Sequence, residues 1–368
     1  MTDVFFKTAS YDYNIIKPII FEMMDNILKD TIQKNHKVLI KPNFLVPAEP
    51  KRAVLTHPLI VKAAVEYVLD KGCKPIIGDS PAVGTIDRIF KVGGYKEALY
   101  GLDFDAEAFK DSVKIDVGEP FGNIEIAKTA MEADIVINLA KLKTHAQMLL
   151  TLGVKNTFGC IVGFKKPRWH LRSGMDRELF AKLLVLIHKK VNPAITIIDG
   201  ILGLEGHGPS KAGTPKEIGV LIGSKNAAMA DMAVCKMINL EPTKLPTHNA
   251  AHALGLIDNI QIHGDFYTVS DYKLPKLGKL MPGNQIIHYL MRKYFLERPS
   301  LHKDRCKLCG ECCKYCPAQA ALIVKKNLEF DYNKCIRCYC CVEVCPEGAL
   351  FPEESFIIKT AKKLSIVD

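Results

Sequence analysis

Ten of the thirteen cysteines in this 368-residue chain lie in one short segment, from Cys306 to Cys345. Within that segment the spacing C-x2-C-x2-C-x3-C-P occurs twice, at residues 306–317 and 335–346. Three cysteines at this spacing wrap one face of a four-iron cluster, and the fourth, followed by proline, ligates the other cluster of a pair. The repeated spacing therefore predicts one small module that holds two [4Fe-4S] clusters.

The crossed arrangement of ligands assigns each cysteine to a cluster. The predicted ligands are Cys306, Cys309, Cys312 and Cys345 for cluster I, and Cys335, Cys338, Cys341 and Cys316 for cluster II. Cys313 and Cys340 exceed these eight ligands and are interpreted as packed or idle thiols. Structural zinc sites also use C-x2-C pairs. Zinc is the weaker alternative because tetrahedral zinc needs neither the three-cysteine loop nor the Cys-Pro ligand.

Residues 301–352 resemble the bacterial ferredoxin domain that carries two four-iron clusters. The resemblance implies a small α+β domain that transfers electrons and therefore needs a redox partner protein. Between the two cysteine motifs, residues 321–330 are predicted to form a short hairpin, because two β-rich runs flank the turn residues 325–327.

Residues 1 to about 265 alternate short β-rich runs with longer amphipathic stretches. This alternation predicts an α/β fold with a mainly parallel sheet and flanking helices. The predicted strands are 4–8, 36–41, 74–78, 134–139, 194–199 and 217–223. We divide the chain into an α/β domain (1–270), a basic linker with a docking helix at 284–296 (271–300), the ferredoxin domain (301–352) and a tail (353–368).

Polar and charged residues follow one predicted strand after another, where open α/β sheets bind their ligands. The residues predicted to bind an anionic group or cofactor are Lys41, Asn43, Asp79, Ser80, Lys141, Lys143, Lys155, Asn156, Lys166 and His170. Those predicted to transfer protons are His145, Asp199, Glu205 and His207. The recurrence of such residues at strand ends favours a binding site.

Each of these residues also has an ordinary structural interpretation. Asp79 and Ser80 suit a helix N-cap, and His57 suits the start of a helix over residues 59–69. Single lysines are usually solvated, and Cys160 lies in a context of small apolar residues that favours packing in a core.

Several segments of the larger domain carry a common set of motifs. They are K-P-N at 41–43, G-D-S-P at 78–81, K-L-K-T-H at 141–145, G-V-K-N at 153–156, residues 166–170, D-G at 199–200 and E-G-H-G-P at 205–209. These motifs resemble the amino-terminal domain of a prokaryotic family known as domain of unknown function 362. In that family the domain is often fused to a carboxy-terminal two-cluster ferredoxin module. The resemblance thus covers nearly the whole chain, but it implies no particular reaction.

The absence of other motifs narrows the function. The sequence contains no G-x-G-x-x-G, no G-x4-G-K-[ST], and no C-x3-C-x2-C outside the ferredoxin segment. It therefore lacks the fingerprints of a nicotinamide site, of a P-loop ATPase and of a radical-initiating cluster. No apolar run reaches about 18 residues and residues 1–13 show no secretory signal, so we expect a cytoplasmic protein with no membrane span. Despite the net charge of +10, no nucleic-acid motif is present, and nucleic acid is not an expected partner.

Three functions remain open at this stage. The first is an oxygen-sensitive oxidoreductase that passes electrons between the clusters and an anionic substrate or cofactor in the α/β domain. The second is a binding or maturation protein, whose domain holds a further cofactor or a divalent metal through Asp199, Glu205 and His207 with His145 or His170. The third is an electron carrier whose larger domain only recognises redox partners. We favour the first because an electron path needs a terminus.

Overall fold

The computed structural model describes residues 1–29, 31–163, 165–174, 176–275 and 296–354. The predicted docking helix, apart from Leu296, and the predicted tail beyond residue 354 lie outside the described residues.

Fifteen strands and twelve α-helices are described. The strands are β1 (Thr2–Thr8), β2 (Lys37–Lys41), β3 (Lys74–Asp79), β4 (Asp105–Ala108), β5 (Ser112–Asp116), β6 (Asn123–Ala127), β7 (Ile135–His145), β8 (Leu149–Thr151), β9 (Ile195–Gly206), β10 (Gly213–Ser224), β11 (Ile260–His263), β12 (Arg298–Leu301), β13 (Ala321–Val324), β14 (Asn327–Phe330) and β15 (Leu350–Glu353). The helices are α1 (Tyr13–Leu28), α2 (Pro58–Asp70), α3 (Ile86–Val92), α4 (Tyr95–Ala98), α5 (Lys128–Glu132), α6 (Gly153–Asn156), α7 (Lys165–Ser173), α8 (Arg177–Val191), α9 (Ala227–Met237), α10 (Pro246–Ala253), α11 (Glu311–Lys314) and α12 (Cys340–Glu343).

One nine-stranded sheet organises the larger domain. Its order is β11-β1-β10-β9-β7-β2-β3-β4, with β8 paired to β7. The strands from β9 through β7, β2 and β3 to β4 are parallel, whereas β10 is antiparallel to both of its neighbours. The sheet confirms the predicted α/β fold. Because the chain runs from β2 outward to β4 and then returns to β7 on the other side of β2, the β2–β7 boundary is the topological switch point at which such sheets bind ligands.

Two central strands run further than predicted. Strand β7 continues to His145 because its last residues pair antiparallel with β8. Strand β9 continues to Gly206 because β10 extends the ladder to Gly213. The Lys141–His145 motif and Glu205 therefore lie within strands, not in the loops after them as predicted. The predicted strands stop where charged residues interrupt the apolar run. The hydrogen-bonded ladder continues beyond that point wherever a partner strand satisfies the backbone groups.

Helices cover both faces of this sheet. Alternate residues of β2 point to opposite faces, so Val38 and Ile40 pack with helices α1 and α2, whereas Leu39 packs with α8 on the other face. Helix α9 and the strands β1 and β10 form a third buried cluster. The charged carboxyl ends of the parallel strands are thus set between well-packed apolar layers, which hold their side chains in fixed positions.

The cysteine-rich module is a small α+β unit made of two short sheets, β12–β15 and β13–β14. The predicted hairpin is present, and its two turn residues, Lys325 and Lys326, both have positive φ, as a two-residue hairpin turn requires. The module packs on the larger domain: Ala146 lies in one apolar cluster with Cys312, Tyr339 and Val342. Because Ala146 directly follows β7, this contact places the module beside the end of that strand.

Candidate functional site

Each predicted set of four ligands surrounds one cavity. Cys306, Cys309, Cys312 and Cys345 line a cavity of about 380 Å³, counted to its open mouth, with apolar walls that include Leu301 and Leu350. Cys316, Cys335, Cys338 and Cys341 line a second cavity of about 330 Å³, counted in the same way. Four thiols in an apolar cavity are the donor set that a [4Fe-4S] cluster takes, so the residues present fit the predicted cofactor.

The two halves of the module repeat the same local geometry. Leu308 and Gly310 in the first loop, and Arg337 and Tyr339 at the equivalent positions of the second, all have positive φ. The backbone N–H of Ala320 donates to Cys316 Sγ (3.1 Å), and that of Ala349 donates to Cys345 Sγ (3.2 Å). N–H···S bonds of this kind stabilise a thiolate ligand, and here they reach the fourth cysteine of each motif.

The two surplus cysteines lie in different surroundings. Cys340 is buried at the start of α12 and lines the cavity of the cluster II ligands. It also lines a separate cavity between the module and the sheet. Cys313 is only half-buried. Cys340 is therefore part of the wall between a predicted cluster and the larger domain.

Lys41 and Asp79 form a buried ion pair at the ends of β2 and β3. Lys41 Nζ lies 3.0 Å from Asp79 Oδ1, and both side chains are almost fully buried. The carboxylate also accepts hydrogen bonds from the backbone N–H groups of Phe44 and Ser80. Gly159 covers the pair, since a Cβ at this position would lie 2.2 Å from Asp79 Oδ1. Asp79 is thus a structural partner of Lys41 and not the N-cap of an α-helix.

Asp199 holds a second buried network with Lys141. Its carboxylate accepts hydrogen bonds from Lys141 Nζ (2.7 Å), from the Tyr11 hydroxyl (2.8 Å) and from the backbone N–H of His57 (2.9 Å). The rings of Tyr11 and His57 are stacked with their centroids 3.6 Å apart. Tyr11 and His57 also line an open cavity with Lys51. His57 has the structural role considered from the sequence as well: its Nδ1 accepts the N–H of Leu59 and caps α2.

Lys143 occupies the switch point between β2 and β7. Its Nζ donates to Asn43 Oδ1 (2.6 Å) and to the carbonyl of Val54 (2.8 Å). Asn43 in turn donates to Asn156, which donates to Asn138. Within the described part of the chain, Lys143 has no carboxylate at ion-pair distance. Burial, reinforced by the charge of Lys155, lowers the pKa of Lys143 to about 7.

His145 joins the sheet to helix α12. Its Nδ1 accepts the backbone N–H groups of Gln147 and Met148, so the ring proton is on Nε2, which lies 2.6 Å from Glu343 Oε1. Burial lowers the pKa of His145 to about 4, so the ring is neutral at neutral pH. Burial alone would raise the pKa of Glu343, but the Nε2–H of His145 and the charge of Lys155 outweigh this effect, lower the pKa and keep the carboxyl ionised.

A cavity of about 690 Å³, counted to its open mouth, lies between the sheet edge and the cysteine-rich module. Asn43, Asp79, Ser80, Lys155, Asn156, Lys166 and His170 line it from the larger domain, and Tyr315, Cys340 and Glu343 line it from the module. We call it the interdomain cavity. It brings together seven of the ten residues predicted to bind an anion or cofactor, while the other three, Lys41, Lys141 and Lys143, are buried and do not line it.

The charge around the interdomain cavity is mainly positive. Among the described residues, neither Lys155 nor Lys166 has a carboxylate at ion-pair distance, and Lys166 Nζ donates to the carbonyl of Ser80. Burial lowers the pKa of Lys166 to about 8. His170 is buried, and its Nδ1 has no hydrogen-bond partner among the described residues. Burial lowers its pKa to about 3, so it is neutral and free to bond to a ligand.

None of the four residues predicted to transfer protons lines the interdomain cavity. Glu205 accepts the backbone N–H of Lys273, and His207 packs its ring against Phe351 of the module, 5.9 Å between centroids. Asp199 is bound by Lys141 and Tyr11, so the residues considered for a divalent metal are held by separate partners. Across the described ranges, no group of three or more His, Cys, Asp or Glu side chains converges on a single metal ion. Cluster ligands differ from such a group, because each cysteine bonds a different iron.

Four residues of the candidate site had no feature in the sequence that would have predicted their part in it. Tyr11 lies in a short polar segment between β1 and α1, and Asn138 is a single polar residue in an apolar strand. Glu343 lies inside a cysteine motif that already has an explanation. Cys340 was interpreted as a packed or idle thiol, and only its position between two cavities distinguishes it. Contacts between residues some 200 positions apart, such as that of His145 with Glu343, leave no trace in a single sequence.

No helix in the described ranges has both the length and the apolarity to cross a membrane. A thylakoid-associated protein of Synechocystis sp. is 37% identical over 257 residues, which is 68% of this chain and 79% of that protein. The pyruvate synthase subunit PorD of Thermotoga maritima is 40% identical over 65 residues, and that of Methanothermobacter marburgensis is 38% identical over 53. These matches cover 16% and 14% of this chain, and 64% and 62% of the two subunits, so the chain spans slightly less than two thirds of their length.

The lactate racemase apoprotein of Thermoanaerobacterium thermosaccharolyticum superposes with a TM-score of 0.43 at 14% identity, over 65% of this chain and 57% of that one. A similarity at this level supports no functional conclusion. Residues 298–346 match the family described as 4Fe-4S dicluster domain. The family described as Domain of unknown function (DUF362) matches residues 38–236, more than half of the chain. The chain therefore belongs to the DUF362 family and carries a ferredoxin-type iron–sulfur domain at its carboxy-terminal end.

Proposed function

We propose that the protein is an iron–sulfur oxidoreductase that exchanges electrons with a small anionic molecule bound in the interdomain cavity. The observation that carries the proposal is the position of Cys340, which lines both this cavity and the one surrounded by the cluster II cysteines. When bound, the two clusters supply one-electron transfer. A ligand in the interdomain cavity would lie against the same helix, α12, that begins at Cys340.

The lysines around the cavity provide the anion-binding groups. Lys155 and Lys166 line it, and Lys143 lies behind Asn43, which also lines it. An anion bound between these lysines would supply the negative charge that no carboxylate of the described residues provides. Burial lowers the pKa values of Lys143 and Lys166 to about 7 and about 8. A bound anion would raise both pKa values, so its binding would be accompanied by proton uptake. Affinity should therefore fall as the pH rises through this range.

His170 is the residue best suited to move a proton to or from the ligand. Its Nδ1 is buried, and its ring packs against Phe180 and Phe158, which fix its orientation. His145 instead positions α12 through Glu343. Of the predicted proton-transfer residues, Asp199, Glu205 and His207 have structural partners in this scheme. We place this chemistry in the cytoplasm, where thiols stay reduced.

Anion binding tests the cavity directly. Inorganic phosphate serves as the probe, titrated calorimetrically into anaerobically purified protein at pH 6.5 and 8.5. We expect the double variant Lys155→Gln/Lys166→Gln to weaken binding at least tenfold at the lower pH, and Lys236→Gln, an exposed change on α9, to leave it unaltered. Equal binding by both variants would contradict an anion site here.

Electron exchange needs a separate test. The protein is reduced with dithionite, freed of excess reductant and mixed anaerobically with fractions of a metabolite extract, while the visible absorbance of the clusters reports reoxidation. An active fraction should lose its effect on the Lys155→Gln/Lys166→Gln variant. If no fraction reoxidised the clusters, the oxidoreductase proposal would fail.

Electron carriage alone is the second candidate function. It is favoured by the similarity of the cysteine-rich segment to PorD, a separate subunit of pyruvate synthase. In that case the larger domain recognises partners, and changes at Lys155 and Lys166 leave both phosphate binding and reoxidation by small molecules unaffected.

A further inference from the structure

The cysteine-rich module exposes an aliphatic surface beside the cavity of the cluster I ligands. It consists of Leu308, Leu322, Ile323 and Val324, each between 39% and 45% exposed, and we call it the aliphatic patch. Leu308 and Ile323 also line the cavity of the cluster I cysteines. One of those cysteines, Cys309, is itself exposed. Exposed aliphatic side chains grouped on one short hairpin and the adjoining cysteine loop mark a surface that contacts another molecule.

The hairpin β13–β14 explains why three consecutive apolar residues are exposed. Successive residues of a strand point to opposite faces, and among the described residues no third strand pairs with this hairpin to cover them. Ile323 is opposite Leu328, which also lines the cluster I cavity. Leu322 and Val324 therefore extend the patch around the outer face of the hairpin.

Exposed basic side chains flank the aliphatic patch. They are Lys303, Arg305 and Lys307 before Leu308, and Lys325 and Lys326 at the hairpin turn. The exposed acidic residues nearby in sequence are fewer: Asp304, Glu329 and Glu347. We call these five basic residues the basic rim. Basic side chains thus outnumber acidic ones around the patch, and the paired lysines of the hairpin turn, Lys325 and Lys326, are complementary to a negatively charged partner.

We propose that the aliphatic patch and the basic rim form the docking surface for an acidic one-electron carrier protein. This inference rests on the proposed function, because an oxidoreductase needs a source or acceptor of electrons in addition to its small ligand. The two predicted clusters then have different neighbours: α12 faces the interdomain cavity, whereas the exposed Cys309 faces the docked carrier. Small, charge-steered interfaces are typical of transient electron-transfer pairs.

Charge and position together favour this occupant over two others. A second copy of the chain would bring an identical basic rim against the first, and like charges oppose such a contact. An anionic membrane would satisfy the basic rim and the aliphatic patch, but it would make no use of Cys309, an exposed cluster ligand that lines the same cavity as Leu308 and Ile323. The position of Cys309 beside the patch therefore favours a redox protein as the partner that docks there.

A redox-inert carrier separates docking from electron transfer. The probe is a gallium-substituted plant-type ferredoxin, which keeps an acidic surface and cannot donate an electron, and the readout is its Kd for the iron-loaded protein by calorimetry. We expect Lys325→Glu/Lys326→Glu to weaken binding about tenfold or more at low ionic strength and much less at about 0.5 M salt, where charges are screened. The variant Ile323→Ser should weaken binding at both salt concentrations.

A matched charge reversal controls for net charge. Lys236→Glu/Lys244→Glu changes the total charge equally on the α/β domain and should leave the Kd within about twofold. Equal weakening by both double variants would overturn the proposal, as would unchanged binding by Lys325→Glu/Lys326→Glu. Vesicles containing phosphatidylserine provide a competing test: if the rim variant abolished vesicle binding and left the ferredoxin Kd unchanged, the surface would be a membrane contact. Dimerisation that disappears in Ile323→Ser, with the ferredoxin Kd unchanged, would assign it to a second copy.

Variants of the interdomain cavity and variants of the basic rim test the proposed function and the docking surface separately. The Lys155→Gln/Lys166→Gln variant should bind the gallium-substituted ferredoxin normally, because these residues lie in the interdomain cavity and not on the aliphatic patch. The Lys325→Glu/Lys326→Glu variant should bind phosphate normally. Each pair of measurements therefore tests one surface.

Discussion

Neighbouring cysteines in this chain differ in what surrounds their sulfur atoms. Cys312 lines the cavity of the cluster I set and Cys341 that of the cluster II set. The cysteines next to them in sequence, Cys313 and Cys340, are not needed to complete either set of four. Adjacent residues of the same type thus provide a matched comparison for the ligand assignment.

We predict that Cys312→Ala and Cys341→Ala each lose about four of the roughly eight iron atoms that two clusters require. Cys313→Ala and Cys340→Ala should retain all of them, because their thiols lie outside the predicted ligand sets. Iron and acid-labile sulfide analysis of anaerobically purified protein measures this. Loss of iron from Cys340→Ala would make that cysteine a ligand and revise the assignment.

Asp231 shows how burial controls ionisation at a single position. Its carboxylate is buried in α9 and accepts the backbone N–H groups of Gly153 and Val154 at the start of α6. Burial raises its pKa from 3.8 to about 7, although the two hydrogen bonds oppose the shift. Between these two values the folded protein holds more protons than the unfolded chain, so this residue makes stability fall as the pH rises.

Asp231→Asn should remove that pH dependence. Across the window from 3.8 to about 7, the wild-type free energy of unfolding should decline relative to that of the variant by at most roughly 1.4 kcal/mol per pH unit. Urea titrations at several pH values measure the difference. Parallel curves for the two proteins would show that the carboxyl ionises normally in the fold.

At the scale of elements, loop 210–212 and the segment before β15 hold the module on the larger domain. Ser210 Oγ donates to the carbonyl of Cys345 (3.2 Å). Gly348, with a φ of +61°, approaches the same loop so closely that a Cβ would lie 2.6 Å from the carbonyl carbon of Lys211. Glycine is required here by both its conformation and its neighbour.

Gly348→Ala should therefore weaken the contact between the two domains and lower the stability of the cysteine-rich module alone. We expect calorimetry to show the unfolding transition of the cysteine-rich module moving to lower temperature, while that of the α/β domain stays in place. Gly255→Ala is the control, because Gly255 has a similar φ of +68° but no atom within 4 Å of its Cβ position. If both variants behaved alike, backbone strain alone would explain the result and the docking contact would be unimportant.

At the scale of the molecule, the two domains depend on different sources of stability. The larger domain has three extensive apolar clusters on the two faces of its sheet. The module has one small cluster, whose buried members include three of its cysteines, Cys312, Cys341 and Cys345, together with Ala146 of the larger domain. A domain this small usually needs metal or disulfides in addition to its core.

Removal of iron should therefore unfold the module and spare the larger domain. We expect protein treated with an iron chelator under reducing conditions to lose the hydrogen-exchange protection of residues 296–354 while retaining it in β2, β7 and β9. Hydrogen exchange followed by mass spectrometry resolves the two regions. Retained protection of the module without iron would mean that packing alone folds it.

Sequence patterns predict the α/β fold, the iron–sulfur module and most of the polar residues that meet at the sheet edge. These features depend on short-range patterns: cysteine spacing, the alternation of apolar runs, and the rule that ligands bind at the carboxyl ends of parallel strands. The sequence placed Lys141 and His145 in a loop because periodicity cannot reveal the antiparallel partner that lengthens β7.

The tertiary structure divides those residues between the wall of the cavity and the buried ion pairs behind the strand ends. It paired Lys41 with Asp79 and Lys141 with Asp199, and it left Lys155 beside an open cavity. It also brought Glu343 to His145. These outcomes depend on contacts between distant parts of the chain, where burial makes a missing partner costly, and no local pattern encodes which charges will meet.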